Sequence, residues 1–132
     1  MTHAPALQAL LTSLGSVSWN TALSDVTLTD GLRGLVYPLG LSKTQGRSQW
    51  SYRVTLTRAL TGLSEAIEWS ESMAAQALEV LDPPGGACLG SGGRVGGVSI
   101  EILAPTTNPN NSRTPQPVEV LAGITLTLTI TE

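Results

Sequence analysis

The sequence predicts an α+β domain, a small antiparallel or mixed β-sheet with two helices packed on it and two long loops. Three patterns support this fold class: alternating apolar residues over 50–57, helical periodicity from Glu65 to Leu81, and a second alternating run over 124–131. The chain has 132 residues. This length fits a single domain covering 1–132, because such a chain buries about two-thirds of its unfolded surface.

The first element is predicted to be a short amphipathic helix from Ala4 to Leu14. Pro5 suits the first turn, Gly15 suits the position just past the end, and Thr2 or His3 is placed to cap the start. The apolar face is formed by leucines at helical spacing, which are Leu7, Leu10, Leu11 and Leu14.

Between this helix and residue 50 we predict only short extended pieces. Trp19 is expected to anchor in the core beside the helix end. Val26–Thr29 and Gly34–Leu39 are predicted to form a hairpin around Asp30-Gly31, which is a turn dipeptide. Leu41–Gln49 is polar and is predicted to be an exposed loop.

The central strand runs directly into the main helix. Residues 50–57 alternate between apolar and polar side chains, as in a strand with one buried face. Thr61 and Gly62 interrupt this pattern, and helical spacing begins at Glu65. Asp82-Pro83-Pro84 ends the helix, because proline lacks a donor and disfavours helical geometry at the preceding residue. The predicted apolar arc comprises Ala66, Ile67, Trp69, Met73, Ala74, Ala77, Leu78, Val80 and Leu81.

The C-terminal part is predicted to be a hairpin with long loops before and within it. Pro83–Gly97 is rich in glycine and is predicted to be a flexible loop. Val98–Leu103 alternates as a strand, and Ala104–Pro117, rich in Pro, Asn and Thr, is predicted to be the second long loop. Residues 124–131 alternate between aliphatic residues and threonine, so one face is expected to lie on the core.

The threonine side of this last strand has two interpretations. It is either the solvent-exposed face of a sheet whose other face is buried or a polar wall that faces a lumen or a neighbouring subunit. Ser51, Arg53, Thr55 and Thr57 of the central strand are expected to lie beside it. The two interpretations differ in the solvent protection of these side chains in an assembly.

Composition narrows the class of protein. The net charge is −3 and the seven Lys and Arg residues are scattered, so no basic surface for nucleic acid is indicated. Charged residues make up only 13% of the chain, less than a soluble monomer normally carries. Cys88 is the single cysteine, which excludes an intrachain disulfide. Neither a secretion signal nor a membrane-spanning run is expected, and we predict a soluble protein that folds in cytoplasm.

No grouping of residues in the sequence indicates an active site, and we expect no catalytic residue, no cofactor and no metal site. His3 is the only histidine and is expected to be frayed and solvated. Cys88 has no neighbour in sequence that would stabilise a thiolate. The glycine run 90–97 lacks the Lys and the following helix of a phosphate loop. Glu65, Glu68 and Glu79 are expected on the solvent face of the main helix.

The order of these elements resembles tail terminator proteins of long-tailed, siphovirus-like bacteriophages, and related proteins of gene transfer agents and the minor tail family look similar. The resemblance covers most of residues 4–131 in order and size. It is carried by the N-terminal helix, Gly34-Leu35-Val36-Tyr37-Pro38, the strand Trp50–Leu56, the helix beginning Leu63-Ser64-Glu65-Ala66-Ile67-Glu68, and a closing hairpin that ends in Leu126–Glu132.

This resemblance implies a non-enzymatic structural protein of the virion. Such proteins assemble as a homo-oligomeric ring, a hexamer, that caps the tail tube and presents it to the head. The implied partners are other copies of the chain, the tail tube protein and the head–tail connector or stopper protein, with no specific nucleic acid and no membrane. The implied location is the head-proximal end of the tail, after synthesis in the host cytoplasm.

The resemblance also implies that the loops 83–97 and 104–117 reach the tube and adjacent subunits. The side chains expected at interfaces are Arg47, Arg94, Asn108, Asn110, Asn111, Arg113, Glu65 and Glu68. Two other functions remain open at this point. One is another neck component, such as a head–tail joining protein, or a tail tube subunit, although tube subunits offer a larger sheet than this sequence predicts. The other is a small enzyme or ligand-binding domain.

Overall fold

The computed structural model describes residues 3–15, 17–19, 32–84, 86–90, 92–107 and 120–132. Within these residues the chain forms two α-helices, a 3-10 turn and five strands, which confirms the predicted α+β class. The elements are α1 (Ala4–Leu11), the 3-10 turn (Thr12–Leu14), β1 (Val17–Trp19), β2 (Leu32–Thr44), β3 (Arg47–Leu60), α2 (Leu63–Leu81), β4 (Arg94–Thr107) and β5 (Val120–Thr131).

The described strands form one mixed sheet in the order β1-β2-β3-β5-β4. The four long strands are antiparallel to their neighbours, and the short β1 pairs in parallel with β2. The predicted pairing of the last two strands is confirmed, with Ile100 opposite Leu126. The strand that comes last in the chain therefore lies inside the sheet, between β3 and β4.

Both helices pack on the same face of the sheet. The alternating residues of β3 and β5 that face them are fully buried, as the periodicity predicts, and α1 and α2 supply the opposite side of this core. The core residues include Leu7, Leu11, Tyr52, Val54, Leu56, Met73, Ala77, Leu81, Ile124, Leu126, Leu128 and Ile130. Trp19 packs against the same core from β1, as predicted. The threonines of β5 lie on the opposite, partly exposed face.

Helix α2 begins at Leu63, two residues before the predicted start, and Gly62 precedes it without a side-chain cap. Its apolar arc is wider than the surface that the sheet covers. Ile67 and Leu78 were both predicted to be apolar-face residues, and each is 44% exposed. Ser70 lies inside the contact instead, where its hydroxyl donates to the Ala66 carbonyl at 2.9 Å.

The predicted exposure of Leu41–Gln49 is confirmed for residues 41–47, but the prediction that this segment is a loop is wrong. Strand β2 continues to Thr44, and β3 starts at Arg47. Gln45 and Gly46 have φ values of 52° and 80°, the left-handed pair that a two-residue hairpin turn needs. Gly34–Leu39 is accordingly part of a long strand paired with β3, while Val26–Thr29 and Asp30-Gly31 lie outside the described residues.

The prediction of a flexible loop over Pro83–Gly97 is also wrong for the part that the structure describes. Arg94–Gly97 belongs to β4. The turn before it folds back, because the amide of Val95 donates to the carbonyl of Ala87 at 2.9 Å and the amide of Leu89 donates to that of Gly93 at 2.7 Å. Ala87 and Leu89 are buried in the core.

The prediction of a second loop over Ala104–Pro117 is wrong for its first four residues. Its residues up to Thr107 continue β4. Residues 108–117 lie outside the described part of the chain.

Candidate functional site

The β2–β3 hairpin forms one end of the sheet, and its tip, residues 43–48, extends past the end of β5, where Thr131 pairs with Gln49. We use the term β2–β3 arm for residues 38–50. Leu39 and Leu41 are 45% and 55% exposed on it, and Lys43 and Arg47 are exposed near its tip. The arm contains no acidic residue. It is therefore a basic end of the sheet with large apolar side chains in solvent.

An irregularity in β2 decides which way the arm residues face. The register shifts between Pro38, opposite Tyr52, and Gly40, opposite Ser51. Leu39 is the extra residue of this bulge. Beyond it the parity of β2 is reversed, so Leu41 is opposite Trp50 and shares the helix-bearing side of the sheet.

A second exposed apolar surface lies along α2. Leu63, Ile67 and Leu78 are 59%, 44% and 44% exposed, and at 100° per residue they fall on one side of the helix. We call these three residues the outer stripe. The same helix carries four exposed carboxylates and no Lys or Arg. At 100° per residue Glu71 borders the stripe, and Glu65, Glu68 and Glu79 lie further round the helix.

The residues predicted at interfaces do not form one site. Arg47 lies at the tip of the arm, and Arg94 starts β4 opposite Thr131, so both are at the same end of the sheet. Glu65 and Glu68 lie near the start of α2, which follows the other end of β3. The hydroxyl of Thr61 donates to Glu65 Oε2 at 3.0 Å. The remaining predicted residues lie outside the described part of the chain; they are Asn108, Asn110, Asn111 and Arg113.

The expectation that His3 is frayed and solvated is wrong. Its side chain is 1% exposed. Its Nε2 lies 2.6 Å from Glu132 Oε1, and its backbone amide donates to the Tyr52 hydroxyl at 3.1 Å. The indole N–H of Trp50 donates to the same Glu132 oxygen at 3.2 Å. We call these four residues the terminal clasp, because they join residues that are 129 positions apart in sequence.

The electrostatics of the terminal clasp favour a charged carboxylate. The hydrogen bond from His3, more than that from Trp50, lowers the pKa of the Glu132 carboxyl below its ordinary value of 4.5, and partial desolvation opposes the shift. An ionised carboxylate only accepts, so His3 Nε2 carries the proton and donates it. The imidazole is closed off from solvent by the rings of Trp50 and Tyr52, whose centroids each lie 6.4 Å away. The geometry is that of a structural connection.

The sheet face opposite the helices is polar at its centre, where β3 and β5 pair. In the register, Arg53 of β3 lies opposite Tyr37 of β2 and Thr127 of β5. Its Nε atom is buried and has no hydrogen-bond partner in the described part of the chain. At the far end of this face, a depression of about 310 Å³ is lined by Thr57, Leu103, Gly123 and neighbouring residues, none of which is ionisable.

Other candidates for chemistry remain separate. Cys88 is exposed and forms an isolated bridge with Arg94, so it lies in an ordered turn. In the described ranges, no three His, Cys, Asp or Glu side chains are grouped closely enough to hold a metal ion. No described helix is both long enough and apolar enough to cross a bilayer.

Comparison with known proteins adds no identity. No protein-family model matches the chain, and a search of curated protein sequences gives no match either.

Proposed function

We propose that this protein is a structural component of a phage tail, a tail terminator that assembles as a ring on the tube and joins it to the head connector. The observation that carries this proposal is the pair of exposed apolar surfaces on one small domain, the β2–β3 arm and the outer stripe of α2. Leu39, Leu41, Leu63, Ile67 and Leu78 are each at least 44% exposed.

These surfaces fit a protein whose exposed apolar side chains become buried when neighbouring subunits bind. Large apolar side chains that share a surface with charged groups are typical of interaction sites. The chain has only 13% charged residues, so little of its surface is dedicated to keeping a monomer soluble. Contact with other copies and with the tube would remove the apolar groups from water. The order of elements, which resembles tail terminators, supplies the specific role.

One observation favours a second function, that of a tail tube subunit. Tube subunits stack rings through a larger sheet, and the sequence alone predicts few strands. The sheet has five strands in the described residues, and four of them contain 12 to 14 residues. Its size is therefore compatible with stacking as well as with a single capping ring.

The decisive experiment removes the gene and images the tails. For a terminator we expect overlong tails in the deletion, and purified protein that forms closed rings at one end of isolated tails. For a tube subunit we expect no tails in the deletion, and labelled protein along the whole tube. Tails of normal length that still join heads would contradict both functions. Native mass spectrometry of the purified chain gives the number of copies in a ring.

A further inference from the structure

We infer that the β2–β3 arm of one copy docks on the outer stripe of α2 in the next copy, and that this contact is the junction that propagates the ring. The inference rests on the proposed function, since it names the surfaces by which the copies join. The occupant of the outer stripe is a second copy of this chain.

Both surfaces are apolar and exposed in the single chain. Leu39 and Leu41 on the arm keep about half of their surface in solvent, as do the stripe residues Leu63, Ile67 and Leu78. The two surfaces therefore do not cover each other within one chain. The bulge at Leu39 places Leu41 on the helix-bearing side of the sheet, opposite Trp50 at the edge of the packed region.

The two elements that carry these surfaces have opposite charges. Helix α2 carries four of the ten acidic residues of the chain and no basic residue, whereas the arm carries Lys43 and Arg47 and no acidic residue. All four carboxylates and both basic side chains are exposed. When the basic strand pair of one copy lies on the acidic helix of another, the exposed apolar side chains contact each other and the opposite charges attract at the edge of the contact. Arm against arm or helix against helix would bring like charges together.

The symmetry of such a contact also fits a ring. Two different patches of the same chain give a head-to-tail contact, which forms a ring when its rotation closes. Each copy uses its arm once and its stripe once, so no copy in a closed ring has an uncovered patch. A single patch that paired with itself would stop at a dimer.

The test uses one substitution in each surface and a matched control. The variants are Leu41→Asp in the arm, Ile67→Asp in the stripe, and Ile102→Asp on β4, where Ile102 is 48% exposed but belongs to neither surface. Light scattering after gel filtration measures the assembly, and circular dichroism checks that each variant is folded. We expect the arm and stripe variants to weaken each junction at least about tenfold, as loss of a central apolar anchor does. The control is expected to assemble like the wild type.

Mixing the two defective chains gives a sharper result. A Leu41→Asp copy keeps an intact stripe, and an Ile67→Asp copy keeps an intact arm. Each is expected to be monomeric alone, and the mixture is expected to form pairs and nothing larger, because only one junction per pair is intact. Charge reversal is a second route that leaves the apolar residues in place. Lys43→Glu with Arg47→Glu is expected to prevent assembly, and adding Glu68→Lys with Glu71→Lys in the same chain is expected to restore it.

The outcomes separate the inference from the proposed function. Rings that persist in both aspartate variants, or that are lost equally in the Ile102→Asp control, overturn the arm–stripe junction while leaving the tail terminator function intact. A mixture that stays monomeric overturns the junction as well. A wild-type chain that remains monomeric and does not bind tails overturns the proposed function itself, and the junction with it.

Discussion

Gly93 gives the sharpest test of the packing described above. It is buried in the turn before β4, next to the terminal clasp. A β-carbon added there would overlap Cγ2 of Ile130 and would lie 3.1 Å from Cε1 of His3. Carbon atoms in contact are normally 3.5–4.0 Å apart. The backbone of Gly93 is not in the left-handed region, so the effect of Gly93→Ala is steric.

The size of the effect follows from how little its neighbours can move. Ile130 is 0% exposed in β5, a central strand, and His3 is 1% exposed and held by hydrogen bonds to Glu132 and Tyr52. Overpacking a core by one methyl group typically costs about 1–3 kcal/mol. We expect Gly93→Ala to fall in the upper half of this range, because both of the atoms that it meets belong to fixed side chains.

The assay is urea unfolding at one low protein concentration, so that association does not contribute to the free energy of unfolding. Gly90→Ala is the matched control, because Gly90 lies in the same turn and a β-carbon there would meet no atom within 4 Å. We expect it to change stability by less than about 0.5 kcal/mol. In an Ile130→Leu background, which removes the β-branched methyl group, the penalty of Gly93→Ala is expected to fall by more than half. Equal stability of Gly93→Ala and Gly90→Ala would refute the packing of this turn.

Three further changes test other parts of the structure. Glu132→Gln keeps an acceptor for His3 but removes the negative charge. The pKa of Glu132 is lowered in the folded state. The ionised carboxylate therefore stabilises the fold above about pH 5, and this contribution is lost as the pH falls through the lowered pKa. Urea titrations across this pH range should show wild type and variant converging in acid, and a constant difference would contradict the charge effect. Leu126→Ala is expected to cost about 2–5 kcal/mol, whereas Thr127→Ala, on the partly exposed face, should cost less than about 1 kcal/mol; similar losses would contradict the assignment of the core face. Arg53→Met is expected to be neutral or stabilising in thermal unfolding, because it removes a buried Nε atom that has no partner, and a large loss would show that this atom is satisfied.

The predictable parts of the fold are those where burial is one-sided. In β5 the aliphatic residues 124–130 alternate with threonine because one face meets the helices and the other does not. In α2 the helical period reflects the same contrast. The extent of the buried arc was less predictable, since Ile67 and Leu78 have the right type and spacing for a core that does not reach them.

The β2–β3 arm was missed because neither of its faces is buried. Residues 41–47 are all exposed, so no selection for a buried face produces alternation there, and the polar sequence resembles a loop. The hairpin is instead specified by Gln45-Gly46 at the turn and by pairing that continues from β3. A two-residue turn with glycine at its second position was the available signal.

The terminal clasp was not predictable from local sequence. The burial of His3 depends on Tyr52 and Glu132, which are 49 and 129 positions away. A single histidine near the start of a chain carries no periodic pattern that would indicate such partners. Gly93 presents the same difficulty, because glycine is used there for close packing, while composition alone indicates mobility.

The position of β5 has a consequence for biosynthesis. On the ribosome, β3 leaves the exit tunnel long before its central neighbour, since Gln49 pairs with Thr131 and Leu60 with Val120. The nascent chain cannot close its apolar interior until residue 131 has emerged, and a stalled product would keep the inner borders of β3 and β4 open to aggregation. Completion of the core thus waits until all of β5 has left the exit tunnel.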